Sequence, residues 1–125
     1  MNILVVDDEK DVQPLFQQRF RKELRSNQVQ MKFVLSGEEA LAYLEKEGYQ
    51  DKIILSDINM PGMSGLELLD RIQKSSTPPP PIIFMISAYG DVENKNAAQD
   101  LGAQDFFTKP LDFKLLKEKI NSLAS

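Results

Sequence analysis

The chain contains no histidine and no cysteine, which removes imidazole bases, catalytic triads, zinc thiolates, thiol nucleophiles and disulfides from consideration. Any chemistry falls to carboxylates, hydroxyls, amides and lysine. Four places carry such groups directly after, or within, short apolar runs: Asp7-Asp8, Asp57, Ser87 and Lys109, the last in Thr108-Lys109-Pro110. A charge at the edge of a core costs free energy unless something pairs with it. Three carboxylates brought together would repel by roughly 4 kcal/mol per close pair at an effective dielectric of about 20, so such a cluster demands a cation. Oxygen-only donors suit a hard ion, Mg²⁺ or Mn²⁺. A hydroxyl, a lysine and a metal around one carboxylate would also bind a phosphoryl group with its three anionic oxygens. Aspartate attacks phosphorus without a base to deprotonate it, so an acyl phosphate on Asp57 is feasible, and the missing imidazole then belongs to a partner.

The elements that must position these residues follow from apolar periodicity. Met1 to Val6 reads as a strand ending in acids, and Val12, Leu15, Phe16, Phe20 and Leu24 recur at helical spacing, predicting one helix from about Lys10 or Asp11. Pro14 falls early enough in it to be tolerated. Val29, Met31, Phe33, Val34 and Leu35 suggest a second strand, after which Ser36-Gly37-Glu38-Glu39 has the form of a capping box and Gly48 can end the helix. Ile53 to Ser56 is the third strand; Ser64-Gly65-Leu66-Glu67 opens a helix expected to bury Leu66, Leu69 and Ile72. Four consecutive prolines, Pro78 to Pro81, make the next link a stiff extended connection rather than a docking ligand, since no basic residue flanks the run. Ile82 to Ile86 is the fourth strand and Val92 to Leu101 a weaker helix with Ala97 and Ala98 inside. Phe106-Phe107 is a short fifth strand. Phe113, Leu116, Ile120 and Leu123 define the last helix, with Asp112 as N-cap.

Five strand–helix units with strongly apolar strands predict an α/β domain: a five-stranded parallel sheet, (βα)5, with right-handed crossovers placing helices on both faces. In such open sheets the site lies at the carboxyl ends of the strands, which is where Asp7, Asp8, Asp57, Ser87 and Lys109 would meet. Taken singly, adjacent acids more often start a helix, Ser87 satisfies a strand end, Lys109 is a surface lysine and Phe106 is core. Their joint placement argues for function. Met60-Pro61-Gly62 fits a tight turn after the acceptor strand.

With 125 residues, 42% of them hydrophobic, the whole chain, 1–125, is the size of a single domain. Fifteen basic against nineteen acidic residues give a net charge of −4 and a pI near 4.8, with no basic stripe for nucleic acid or an anionic membrane surface. No apolar stretch approaches a membrane span and no secretory signal opens the chain, so a cytoplasmic location is expected.

The segments "ILVVDDE", "LSDINMPGMSGLELL", "MISAYGD" and "DFFTKPLD" together resemble the receiver domains of two-component response regulators, over the whole chain. The resemblance implies a flavodoxin-like fold and a regulatory phosphoacceptor, not an enzyme acting on a separate substrate. Asp57 would take phosphate from a phosphohistidine on a histidine kinase or histidine phosphotransfer protein, or from a small acyl phosphate. Asp8 would ligate Mg²⁺ directly, Asp7 mainly through water, and Asn59 through its backbone carbonyl. Ser87 and Lys109 would contact the transferred phosphoryl group, and Lys109-Pro110 would be cis. Ala88, small, would keep the acceptor accessible. Asn59 and Tyr89 sit where the family tunes the lifetime of the acyl phosphate. Phe106 stands at the aromatic switch position: Ser87 moving inward would let its ring fill the vacated space, reshaping the surface of the fourth helix, fifth strand and fifth helix for a downstream partner. The resemblance also allows a phosphorylation-dependent dimer, and fits either a stand-alone receiver or one cut from a longer chain.

Two rival readings exist. A haloacid-dehalogenase-type phosphatase wants Asp-x-Asp at the first strand, whereas Asp7-Asp8 are adjacent there and Asp57-Ile58-Asn59 lies at the third. A degenerate receiver that only binds protein would lack active-site side chains, and none is missing.

Overall fold

The computed structural model describes residues 1–49, 52–75, 80–88 and 90–124. Five strands, β1 (Asn2–Val6), β2 (Gln30–Val34), β3 (Lys52–Asp57), β4 (Ile82–Ala88) and β5 (Asp105–Lys109), form one parallel sheet in the order β2-β1-β3-β4-β5. The reversal of strand order beside β1 opens a crevice at the carboxyl ends of β1 and β3. Six helices cover the sheet: α1 (Val12–Arg19), α2 (Arg21–Arg25), α3 (Gly37–Glu47), α4 (Gly65–Ser75), α5 (Val92–Asp100) and α6 (Phe113–Ala124).

Because strand side chains alternate, each strand feeds two cores. Leu4, Ile54, Ile83 and Met85 point into one layer with Ala40, Leu44, Leu69 and Ile72 from α3 and α4 and Ala98 from α5. Ile3, Val5, Leu55, Phe84, Ile86 and Phe107 point into the other with Phe16 and Phe20, and Leu116 and Ile120 from α6. The second layer is rich in aromatic contact: the Phe16 ring lies 5.0 Å from Phe113 edge-on and 6.0 Å from Phe20, distances at which aromatic pairs attract beyond simple burial.

Two sequence expectations change in detail. The single helix expected over residues 12–24 is split at Phe20, whose φ of −105° and ψ of 19° leave the helical region. Its N–H still bonds Phe16 O and its own carbonyl still receives Leu24 N–H, both at 2.9 Å, so the ladder is kinked rather than cut. The fully buried Phe20 ring, held between Phe16 and Phe113, anchors the bend. In α4, Leu68, Leu69 and Ile72 are the fully buried leucine and isoleucine side chains, while Leu66 packs only partly against the core. Leu69 and Ile72 are thus buried as the spacing predicts, and Leu68 takes the place expected for Leu66. Pro78 and Pro79, half of the proline run, lie outside the described residues, and so does their expected extended conformation.

The helix starts behave as their sequences require. Ser36 Oγ accepts from Glu39 N–H at 3.1 Å, while Glu39 Oε2 reaches back to Leu35 N–H at 2.9 Å, a capping box displaced by one residue on its return arm. Ser64 Oγ accepts from Glu67 N–H at 3.2 Å and Asp112 Oδ1 from Leu115 N–H at 3.1 Å. Gly48, at φ 88°, ends α3 in a conformation open to glycine.

Candidate functional site

The parallel register brings the polar residues to one rim. β1 runs out at Val6, opposite Ser56 of β3, and Asp7 continues the ladder through its N–H to Val34 O at 3.2 Å. Asp57 is the last residue of β3, paired with Ile86 of β4; one step on, Ser87 pairs with Thr108 and Ala88 with Lys109 of β5. Strand alternation then sorts these side chains. Asp7, Asp57 and Lys109 continue the parity of Val5, Leu55 and Phe107, the layer of α1 and α6. Ser87 and Phe106 share the parity of Met85, the layer of α3 to α5.

Asp7, Asp8 and Asp57 each offer a carboxylate oxygen, all within 4.8 Å of one another. Asp57 is 3% and Asp7 7% exposed, whereas Asp8 faces solvent. The Lys109 ammonium donates to Asp57 Oδ2 at 3.0 Å and stands 4.0 Å from Asp7 Oδ2. Asp7 Oδ1 also accepts from Glu9 N–H at 2.9 Å. Burial raises the Asp7 pKa above 3.8; the Glu9 hydrogen bond opposes this, the Asp57 charge adds to it and Lys109 counters it. Burial by itself would lower the Lys109 pKa, but the hydrogen bond to Asp57 and the charges of Asp57, Asp7 and Glu9 together raise it above 10.5. One ammonium thus serves a cluster of three acids. Hard oxygen donors from three carboxylates with a deficit of positive charge fit a divalent cation such as Mg²⁺.

The loop after β3 is tied closely to it. Gly65 N–H donates to Ile58 O at 2.8 Å, and a Cβ at Gly65 would collide with the Asp57 carbonyl oxygen and lie 2.8 Å from both Ile58 Cα and the Met85 methyl. Glycine at the first residue of α4 lets the helix start against the backbone of Asp57. Asn59 is exposed in this loop, Phe106 is half-buried against the α3–α5 core, Ala88 is exposed, and Lys109-Pro110 is cis. Tyr89 lies outside the described residues.

Ser87 is fully buried, yet its hydroxyl donates to Asp91 Oδ2 at 2.7 Å, away from Asp57. Sequence reading missed Asp91. The signal was present in the spacing: an acid four residues beyond the strand-end serine and directly before a helix is close enough to share its hydroxyl.

A family model described as the response regulator receiver domain matches residues 3–121. Response regulator RppA of Synechocystis is 32% identical over 98% of the chain, which spans 50% of that protein; the chain is thus about half as long as this relative. A crystal structure of a response regulator from Chloroflexus aurantiacus superposes with a TM-score of 0.81 at 29% identity, covering 99% of this chain and 98% of the other. The receiver domain of Ssk1 from Saccharomyces cerevisiae, crystallised with the histidine phosphotransfer signalling protein Ypd1, superposes at 0.80 with 26% identity, covering 97% of this chain and 86% of the other.

Proposed function

The chain belongs to the response regulator receiver family of two-component signalling, and on that premise we propose that it is a phosphoryl switch whose acceptor is Asp57. The observation that carries the reading is the setting of that carboxylate: buried, 3.0 Å from Lys109 and grouped with Asp7 and Asp8. Lys109 engages Oδ2, and the other Asp57 oxygen is the nucleophile. It forms an O–P bond as the N–P bond of a phosphohistidine breaks, and the electron pair returns to the imidazole nitrogen, which takes up a proton. Asp8, Asp57 and the Asn59 carbonyl would hold Mg²⁺, with Asp7 reaching it through water, and the ion would supply positive charge to the acids and the incoming phosphoryl oxygens.

The protein's own residues do the rest. Lys109 leaves its place on the carboxylate to make a charge-assisted contact with the new phosphoryl group, and Ser87 donates to another of its oxygens. Ser87 leaves the α5 side, Phe106 fills the vacated space, and the α5–β5–α6 surface changes for a downstream partner or a second copy of the chain. Asn59, exposed beside the acceptor, tunes water attack, as does Tyr89. The protein catalyses only its own phosphorylation and dephosphorylation. The donor is a histidine kinase or a histidine phosphotransfer protein, supported by the Ypd1 complex of the Ssk1 receiver. A groove of about 600 Å³, lined by Asp7 and Lys109 and by Val12, Leu15 and Phe113, offers apolar ground beside Asp57 on which such a donor can rest. Residues 1–125 act as one receiver domain working in the cytoplasm; no described helix is long and apolar enough to cross a membrane.

Mass spectrometry tests the acceptor. After incubation with acetyl phosphate and Mg²⁺, wild type gains one phosphoryl group and Asp57→Ala does not; equal labelling of both refutes the assignment.

A further inference from the structure

Asp91 occupies the N-cap position of α5, but its side chain makes no cap hydrogen bond. An N-cap aspartate ordinarily accepts from the N–H of the second or third helical residue, here Glu93 or Asn94. Instead, Oδ2 of Asp91 receives the Ser87 hydroxyl at 2.7 Å and the Asn94 side-chain amide at 2.6 Å. These two bonds, Ser87 first, together with a smaller contribution from the nearby Asn94 N–H, outweigh desolvation and hold the Asp91 pKa below 3.8; that N–H lies close to the carboxylate without the geometry of a cap bond. The carboxylate is thus engaged in its charged form, and the charged form is the stronger acceptor.

A serine hydroxyl has one proton to donate. It can be given to Asp91 or to a phosphoryl oxygen on Asp57, but not to both. We propose that Asp91 is a positioning residue, a latch that holds Ser87 on the α5 side until the phosphorylated acceptor draws the hydroxyl away, whereupon the freed carboxylate caps α5. The inference rests on Asp57 being the phosphoacceptor. It supplies a direct link between the acceptor and the helix that borders it, because the same oxygen that releases Ser87 becomes available to the first turn of α5. That helix has a single fully buried residue, Ala98, and no side-chain cap, so a bond gained at its start acts on an element weakly held by packing. Phosphorylation then both frees the space beside Phe106 and firms the α5 N-terminus.

Two variants test the latch by nuclear magnetic resonance and titration. Ser87→Ala removes the donor, so in the unphosphorylated protein the backbone amide proton of Glu93 or Asn94 moves downfield and its exchange with water slows about threefold, as expected for a newly made cap bond. Wild type with beryllofluoride and Mg²⁺, a stand-in for the phosphoryl group, shows the same change. Neither amide responding in Ser87→Ala overturns the proposal. Asp91→Ser keeps a cap-competent side chain but removes the competing carboxylate, and beryllofluoride with Mg²⁺ then binds about fivefold more tightly. Unchanged or weaker binding by this variant also overturns it. The Ser87→Ala amide change needs no phosphoryl chemistry, so it can fail or succeed independently of acetyl phosphate labelling at Asp57.

Discussion

Lys109 on β5 reaches past β4 to Asp57 on β3, its ammonium 3.0 Å from Oδ2. Among the described residues it is the one cation paired with these two buried acids, with its own side chain 39% exposed. Lys109→Met therefore leaves Asp57 and Asp7 uncompensated, and the metal-free protein loses about 1 kcal/mol, the solvent-discounted end of what breaking such a pair costs. In wild type, the raised Lys109 pKa means that this contribution is complete below the ordinary 10.5 and disappears as pH rises through the folded value. Removing a competing cation makes the acid cluster more negative, so Mg²⁺ binds Lys109→Met about threefold more tightly. Chemical unfolding and calorimetric Mg²⁺ titration check both signs, and weaker Mg²⁺ binding would contradict the arrangement.

Asp7 and Asp8 are adjacent in sequence but differ in burial, and their amide variants should separate metal binding from stability. Asp7→Asn keeps an oxygen for the Glu9 N–H and removes a buried charge that repels Asp57. The metal-free midpoint rises by a few degrees, about 1 kcal/mol. Asp8→Asn, in solvent, leaves that midpoint within about 0.5 kcal/mol, while Mg²⁺ affinity falls about tenfold or more through loss of the proposed direct ligand. Thermal melts with and without Mg²⁺ distinguish the two.

The raised Asp7 pKa fixes a pH dependence. The folded protein takes a proton there at a pH where the unfolded chain remains ionised, so the ionised form costs stability above that pH and the cost is relieved as pH falls through it. Mg²⁺ requires the ionised form, so affinity declines on the same descent, beginning above the 3.8 of an ordinary aspartate. In Asp7→Asn that part of the decline is absent. An identical pH profile for the two proteins would remove Asp7 from the metal site.

Gly65→Ala should damage the acceptor loop through its backbone. The added methyl collides with the Asp57 carbonyl, and neither that oxygen nor the Ile58 Cα can swing aside as a side-chain tip would. A loss of about 2 kcal/mol in urea unfolding is expected, together with slower labelling of Asp57 by acetyl phosphate. A stability change under about 0.5 kcal/mol would show that α4 moves freely relative to β3.

The sequence by itself determined the parallel α/β architecture, the caps at Ser36, Ser64 and Asp112, and the candidate residues Asp7, Asp8, Asp57, Ser87 and Lys109. Apolar runs with changing period set the order of elements, and an open parallel sheet gathers whatever follows its strands at one edge. Tertiary structure decided what periodicity leaves out. Phe20 sits at the bend of the first helix with its ring between Phe16, one turn earlier, and Phe113, which comes from an element far along the chain. Lys109 faces Asp57 and Asp7 because strand alternation continues one parity to the rim, while Ser87, on the other parity, turns to Asp91. A hydroxyl's choice between two acceptors depends on distances of tenths of an ångström, and those are set by how α5 packs against α4 and β5.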